Sequence, residues 1–398
     1  MVLEPPLGGS LIFAPMKDCD RFSKCFWIAV ALWVLLAIVV IGYVATHPGH
    51  RSVTQSYWDA SRNWLDGKDL YEGTGFYYLP QSAVLQIPFT VLPLMGAEIS
   101  WRILNLVLFA SSCFVLSQSV RAESKSFSFL VVTLFAIPIS FSSARNGQVN
   151  LTIAALFNLL FYFWSLRRYA LAVCICLVGI ALKQYFIVPF LLFNAMELKR
   201  CFRYSAVGLV VLLAFPFLFG RSEYVLGQYA SCLQSMGEAS AEGRDAHYAY
   251  FFGMLKVCGL DVSTGLQNLA ALVAAVGVLA YCVKCLSGLD LRCRALLVVF
   301  LSVAFVLLFS PRTENNTYCL AGGLSGVFFM LALREGRGRA LLLGCLLCAY
   351  VFMFGSYEIG KLFTPGRAIW LAPLGMCLFV AYVLVKFVPG EVRASKVA

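Results

Sequence analysis

The sequence predicts an all-α fold, a polytopic transmembrane helical bundle, and three observations carry that expectation. First, 61% of the 398 residues are hydrophobic and only 13% are charged. That is too little polar surface to cover a globule of this size in water, so lipid is the expected solvent. Second, apolar runs long enough to cross a hydrocarbon layer recur along the chain. Third, the lysines and arginines sit in short clusters between those runs. The formal net charge of +11 therefore reads as retention of loops on the cytoplasmic side, and no continuous basic face suited to nucleic acid is present.

The first run, Phe26 to Thr46, follows Lys17, Arg21 and Lys24. It is too long for a signal-peptide core and reads as a helix entering from the cytoplasm. Arg167-Arg168, the stretch Glu197 to Arg203, Arg292 with Arg294, Arg334 to Arg339 and the tail from Lys386 are short and basic, so all are expected inside. Segments 47–81, 144–150, 220–263, 310–317 and 355–367 are rich in Asp, Asn, Gln, Tyr and Pro, and are expected outside. Residues 169–197 begin and end with inside-type charge. They should cross twice, with Lys183-Gln184 at the outer turn of two short helices.

The stretch Gln81 to Met95 is short, carries Pro88 and Pro93, and reads as re-entrant or interfacial. About 12 spans remain: 26–46, 99–119, 127–143, 149–166, 169–182, 184–197, 204–219, 264–286, 294–309, 318–333, 340–354 and 368–387. Residues 1–398 are read as one integral membrane domain, whose extracytoplasmic loop 47–81 carries interfacial helices and whose termini are cytoplasmic. The 15 cysteines fall mostly within apolar runs, where they act as small hydrophobes. Cys174 and Cys176 are too close for a CxxC pair, and no Cys/His cluster has metal-site spacing, so no metal is expected.

Six polar segments are candidates for chemistry. Residues 57–66 have helical character that Gly67 should end, with Trp58, Trp64 and Leu65 suited to a bilayer interface. Asp59, Arg62 and Asp66 recur at helical spacing, either as a polar face where a carboxylate takes a proton from a hydroxyl or as a solvated ion-paired surface. Tyr57 opens this stretch and Asp69 follows it, and Phe76-Tyr77-Tyr78 are either membrane anchors or a stacking surface for a sugar or prenyl chain. In Arg145-Asn146-Gly147-Gln148-Val149-Asn150, a guanidinium and three amides gather at a helix N-terminus, a plausible cradle for phosphate or sugar hydroxyls if it is more than loop polarity. Lys183 in an apolar hairpin costs on the order of 3 kcal/mol if uncompensated, and so faces a cavity or an anion, or else snorkels to headgroups. Ser310 to Tyr318 is the densest outer polar run and supplies Arg312, Asn315, Asn316 and Tyr318; the loop from Tyr357 adds Lys361 and Arg367.

Taken in order, Tyr57-Trp58, Gly67 to Tyr71, Tyr78-Leu79-Pro80, Pro88, Pro93, Gly147-Gln148-Val149-Asn150, Leu182-Lys183 and Ser310-Pro311 with Asn315 to Tyr318 resemble the polyprenyl-phosphate-dependent glycosyltransferases of family 87. These are GT-C membrane enzymes. The sequence departs from the family in three places: no carboxylate occurs in Ser52 to Ser56, Gln184 stands where proline commonly follows the lysine, and Asn315-Asn316 stand where paired histidines occur.

The resemblance implies a GT-C-like bundle at the plasma membrane. It implies an inverting, metal-independent transfer of one sugar from a polyprenyl-phosphate donor to an acceptor hydroxyl at the extracytoplasmic face, the acceptor being a glycan, lipid or protein. No cofactor beyond that donor substrate is implied. Asp59 is the first expectation for the base, with Asp66 and Asp69 in reserve, and Lys183, Arg145 and Arg312 are expected to stabilise the departing phosphate. The alternative is a flippase or transporter of lipid-linked sugar or another small molecule, which needs polar residues at mid-membrane on several helices. A non-catalytic scaffold would have no outer cavity.

Overall fold

Backbone amides in lipid must find partners within their own segment, so apolar runs fold as helices. The computed structural model of the chain describes residues 24–119, 124–242, 248–335, 339–344, 346–347 and 371–387, and among these no strand occurs. The helices are α1 (Lys24–Thr46), α2 (Thr54–Asp66), α3 (Pro80–Gln86), α4 (Leu94–Gln118), α5 (Lys125–Arg145), α6 (Asn150–Ser165) and α7 (Tyr169–Leu182). They continue as α8 (Ile187–Ala214), α9 (Ser222–Glu242), α10 (Phe251–Val257), α11 (Thr264–Tyr281), α12 (Leu291–Phe309), α13 (Gly322–Glu335) and α14 (Leu371–Tyr382). Among the described residues, seven candidate spans are long and apolar enough to cross a membrane, and α6, α7 and α14 are shorter apolar helices. The chain is an integral membrane protein with an all-α, polytopic bundle.

Helices α6 and α12 form the centre, buried along most of their lengths, with α4, α5, α7 and α13 packed around them. Since lipid tails are as apolar as leucine, helices here are held by close packing and polar pairs. Asn105 on α4 accepts from Thr152 Oγ1 on α6 (2.6 Å), and Asn158 Nδ2 on α6 donates to Ser112 Oγ on α4 (3.1 Å). Gly322 and Gly326, one turn apart on α13, let that helix approach α5: a Cβ at Gly326 would stand 2.6 Å from Val132 Cα. The outward faces carry exposed Ile38, Val107, Val210, Leu272 and Val276, the surface that a bilayer accepts.

The reading of segment 184–219 as two spans joined by a basic loop needs one correction. No loop intervenes: α8 runs through the basic stretch and departs from helical geometry only at Glu197 (φ −128°, ψ 27°). The two legs nevertheless fold back on each other. Ser205 Oγ donates to Asn194 Oδ1 over 2.6 Å, whereas eleven residues of straight helix would separate them by about 16 Å. Charge explains how so tight a reversal is tolerated. Buried Glu197 accepts from Arg200 of the second leg, Arg294 of α12 and Trp164 of α6. Three of the basic clusters thus meet at one end of the bundle, as Arg200 also donates to Tyr169, directly after Arg168.

Gly67 ends α2 as expected. It adopts φ +69° and its N–H reaches Trp64 O, while Lys68 N–H reaches Asn63 O, closing the helix with the bond pattern that glycine permits. Trp64 does not face the bilayer: it is buried, and its indole donates to Phe219 O, just past the 3-10 turn that follows α8. The Gln81–Met95 stretch forms α3 and a single 3-10 segment before α4 begins, so it is no full crossing. Most of span 340–354, the loop 355–367 and the chain's ends lie outside the described residues.

Candidate functional site

The opposite end of the bundle holds a cavity of about 350 Å³, at the small end of ligand-pocket sizes. Its lining comes from α2 and its approach (Val53, Ser56, Tyr57), from Gly75, Tyr77 and Tyr78, from Gln148, from Lys183 to Tyr185, from α9, and from Ser310, Pro311, Arg312, Glu314 and Thr317. Segments far apart in the chain therefore converge on one water-accessible space.

Lys183 is placed by a wedge. Phe186 is buried against Phe157 with ring centroids 4.5 Å apart and lies over Gly179, where a Cβ would enter its ring. The chain must leave the helix to accommodate that ring, and Lys183 sits at the break in extended geometry (φ −156°, ψ 117°). Its Nζ donates to Asn150 Oδ1 (2.6 Å) and stands 4.8 Å from the Tyr185 ring centre. Burial pushes the ammonium down to about 8, while the charge of Glu314 opposes the shift. An incoming anion favours the charged form of this lysine.

Asn150 opens α6 and links the cation to the rest of the site. Its Nδ2 donates to Gln148 Oε1 (2.6 Å) and Asn316 Oδ1 (3.1 Å); Glu314 Oε2 then accepts from Gln148 Nε2 (3.0 Å) and Asn316 Nδ2 (2.6 Å). The result is a closed ring of three amides and one carboxylate. The turn that carries it is clamped from behind: the buried Arg102 guanidinium donates to Arg145 O, Glu98 O, Thr54 Oγ1 and Ser52 Oγ, and Trp101 Nε1 donates to Gly147 O. Gly147 has φ +65° and is tight against Thr54 and Arg102.

The other walls supply rings and a second cation. Arg312 lies over Tyr77 at 4.4 Å from the ring centre, a stack that a guanidinium favours. Tyr57 and Tyr78 hydroxyls are 3.3 Å apart, and burial pushes both phenols up, so they stay neutral hydrogen-bonding groups.

Of the residues singled out from sequence, Tyr57, Tyr78, Gln148, Lys183 and Arg312 line the cavity, and Asn150 and Asn316 stand behind it in the hydrogen-bonded ring. Asn315 and Tyr318 do not line it; the Tyr318 hydroxyl donates to Ala249 O. Arg145 is nearly buried with its guanidinium 5.8 Å from the Tyr43 ring centre, and Arg62 covers Trp58 on the exposed face of α2. Lys361 and Arg367 lie outside the described residues.

None of the three aspartates lines the cavity. Asp59 follows Tyr57 by two residues, a rotation of about 200° on a helix, and shares the far face with Gln55, where partial burial raises its carboxyl. Asp66 pairs with Lys68 in an exposed ion pair. Asp69 is occupied by the Tyr71 and Glu72 amides and the Ser231 hydroxyl. The carboxylate that does line the cavity is Glu314, which sequence reasoning passed over as one member of a polar run. The available signal was its position as the single acid between Ser310 and Tyr318.

Comparison with known proteins bears on this geometry. A family model described as Glycosyltransferase family 87 matches residues 76–311. A curated relative in Mycobacterium tuberculosis, the polyprenol-phosphate-mannose-dependent alpha-(1-2)-phosphatidylinositol mannoside mannosyltransferase, is 34% identical over 156 residues, covering 31% of this chain and 36% of the relative. The similarity thus spans little more than a third of that protein's length. The family match encloses Tyr77, Tyr78, Gln148 and Lys183 and stops just before Arg312, Glu314 and the asparagine pair.

Proposed function

Since the chain belongs to glycosyltransferase family 87, we propose that its cavity transfers a single sugar from a polyprenyl-phosphate donor to an acceptor hydroxyl. The observation that carries this reading is the presence of two cations from distant segments, Lys183 and Arg312, in one small cavity with amides and phenols. Cations meet the charge that grows on a departing phosphate, and they are most effective where water is few and geometry is fixed. Amide and phenol groups suit sugar hydroxyls, and the rings of Tyr77 and Tyr78 suit a sugar face. The relative's dependence on polyprenol-phosphate-mannose agrees with a lipid-linked substrate.

The reaction is an inverting single displacement that needs no metal, because the leaving phosphate is neutralised by side chains. A glycan, lipid or protein hydroxyl attacks the anomeric carbon while the bond to phosphate breaks. The site lies at the extracytoplasmic face, a placement supported by the gathering of the basic clusters at the other end of the bundle. The prenyl tail stays in the surrounding bilayer, and no nucleic acid takes part.

A flippase would need a polar path through the bundle. The buried polar pairs beneath the cavity, Asn105 with Thr152 and Asn158 with Ser112, are bonded to one another, which supports the enzyme instead. Membranes carrying the chain, given radiolabelled polyprenyl-phosphate sugars, should move label out of the lipid donor. Lys183→Ala membranes should lose that transfer; full activity in Lys183→Ala would overturn the reading.

A further inference from the structure

A displacement of this kind needs a base for the acceptor hydroxyl, and the geometry points to Glu314 as that catalytic residue, held ready by Gln148 and Asn316. The inference rests on the glycosyl-transfer reading above. Four observations converge on it. Glu314 is the one carboxylate lining the cavity among the described residues. Its two ring partners both donate to Oε2, leaving Oε1 without a hydrogen bond among the described residues. Glu314 is an exposed residue, which leaves room for a hydroxyl entering the cavity to reach that oxygen. The stretch Ser52 to Ser56 offers no acid, and its Ser52 and Thr54 hydroxyl oxygens accept hydrogen bonds from Arg102.

The roles divide cleanly. Glu314 Oε1 accepts the acceptor's proton as that oxygen forms its bond to the anomeric carbon. The bond from the anomeric carbon to the phosphate oxygen breaks, and its electron pair leaves on the polyprenyl phosphate, beside Lys183 and Arg312. Proton, sugar and charge are thereby accounted for, and the proton leaves Glu314 to water after product release. Gln148 and Asn316 act as positioning residues: two amides on one oxygen fix the rotation of the carboxylate and keep the other oxygen aimed at the acceptor.

Glu314→Gln separates base from scaffold, because its amide oxygen still accepts from Gln148 and Asn316 while the basic oxygen is gone. In purified protein reconstituted in lipid nanodiscs, with a polyprenyl-phosphate sugar that the wild type turns over, Glu314→Gln should lower kcat by about 100-fold or more. Donor KM should stay within about threefold of wild type, since the amide keeps both ring hydrogen bonds and leaves Lys183 and Arg312 in place. Added formate should restore part of the rate to Glu314→Ala by supplying a carboxylate to the emptied space. A Glu314→Gln enzyme within about threefold of wild-type kcat would overturn the assignment while leaving the function standing, and so would loss of donor binding in Glu314→Gln with no rescue by formate, which marks a structural role. Failure of the wild type to transfer any polyprenyl-phosphate sugar would remove the function and this assignment together.

Discussion

Lys183 Nζ donates to Asn150 Oδ1 across 2.6 Å, joining the break between α7 and α8 to the first residue of α6. The bond aims the ammonium into the cavity and ties its position to the ring that holds Glu314. Asn150→Ala should therefore misplace the cation without removing it. A fall in kcat of about 10- to 100-fold, larger than any change in acceptor KM, is the expected result. Wild-type kinetics in Asn150→Ala would mean that the cation needs no such guide.

The state of that ammonium sets a pH limit. Burial lowers Lys183 to about 8, so the charged form predominates below that value and is lost as pH rises through it. Single-turnover transfer should fall on the alkaline side with an apparent midpoint at or somewhat above 8, since a bound phosphate favours the charged amine. Asn150→Asp places an anion beside Nζ and should move this limb to higher pH. A profile that is flat to pH 10, or a limb unmoved in Asn150→Asp, would sink the assignment of Lys183 to phosphate.

These expectations also mark what the sequence carried. Hydropathy and basic clusters located the helices, because each span must satisfy its backbone locally and bury its apolar length in lipid. The hairpin at Lys183 was legible because inside-type charge brackets it. The reversal at Glu197 was not, since it depends on Arg294 arriving from another helix. Trp64 was misplaced for the same reason: its partner, Phe219, is 155 residues away. Helical spacing grouped Asp59 with Arg62 and Asp66, but spacing gives a face and not the direction in which that face points. Glu314 was hidden because its importance lies in partners contributed by Gln148 and Asn316.

Close packing makes a separate prediction. A Cβ at Gly326 would lie 2.6 Å from Val132 Cα, backbone that cannot move aside as a flexible side chain can. Gly326→Ala should push α13 away from α5 and cost about 1–3 kcal/mol, in the range of overpacked cores. Gly277→Ala on α11, where nothing stands within 4 Å, should leave stability unchanged. Thermal unfolding in detergent compares the two; equal midpoints would show that α13 is not held by contact at this glycine.

The cation over Tyr77 should resist a conservative exchange. Arg312 presents a planar guanidinium to that ring at 4.4 Å, whereas a lysine carries a compact, strongly hydrated charge that neither stacks in this way nor offers two parallel donors to phosphate. Arg312→Lys should raise donor KM by about 10-fold, the value of roughly 1.4 kcal/mol of lost binding. Tyr77→Leu should reproduce part of that loss by freeing the guanidinium. Unchanged donor KM in both enzymes would assign Arg312 to some other task.

The aspartates of the 57–69 segment should separate by their surroundings. Asp59 lies on the face of α2 turned from Tyr57 and does not line the cavity, so Asp59→Asn should keep kcat within about threefold of wild type, well short of the loss expected for a missing base. Asp69 has a different burden. Its carboxylate accepts from Tyr71 N, Glu72 N and Ser231 Oγ, fastening the loop below Tyr77 and Tyr78 to α9. Asp69→Ala leaves those donors unmatched and should cost about 1–3 kcal/mol, with weaker donor binding as the loop loosens. The contrast tests which end of the chain supplies the reacting carboxylate: an Asp59→Asn enzyme that loses its rate while folding normally would return the base to α2 and require α2 to turn during catalysis.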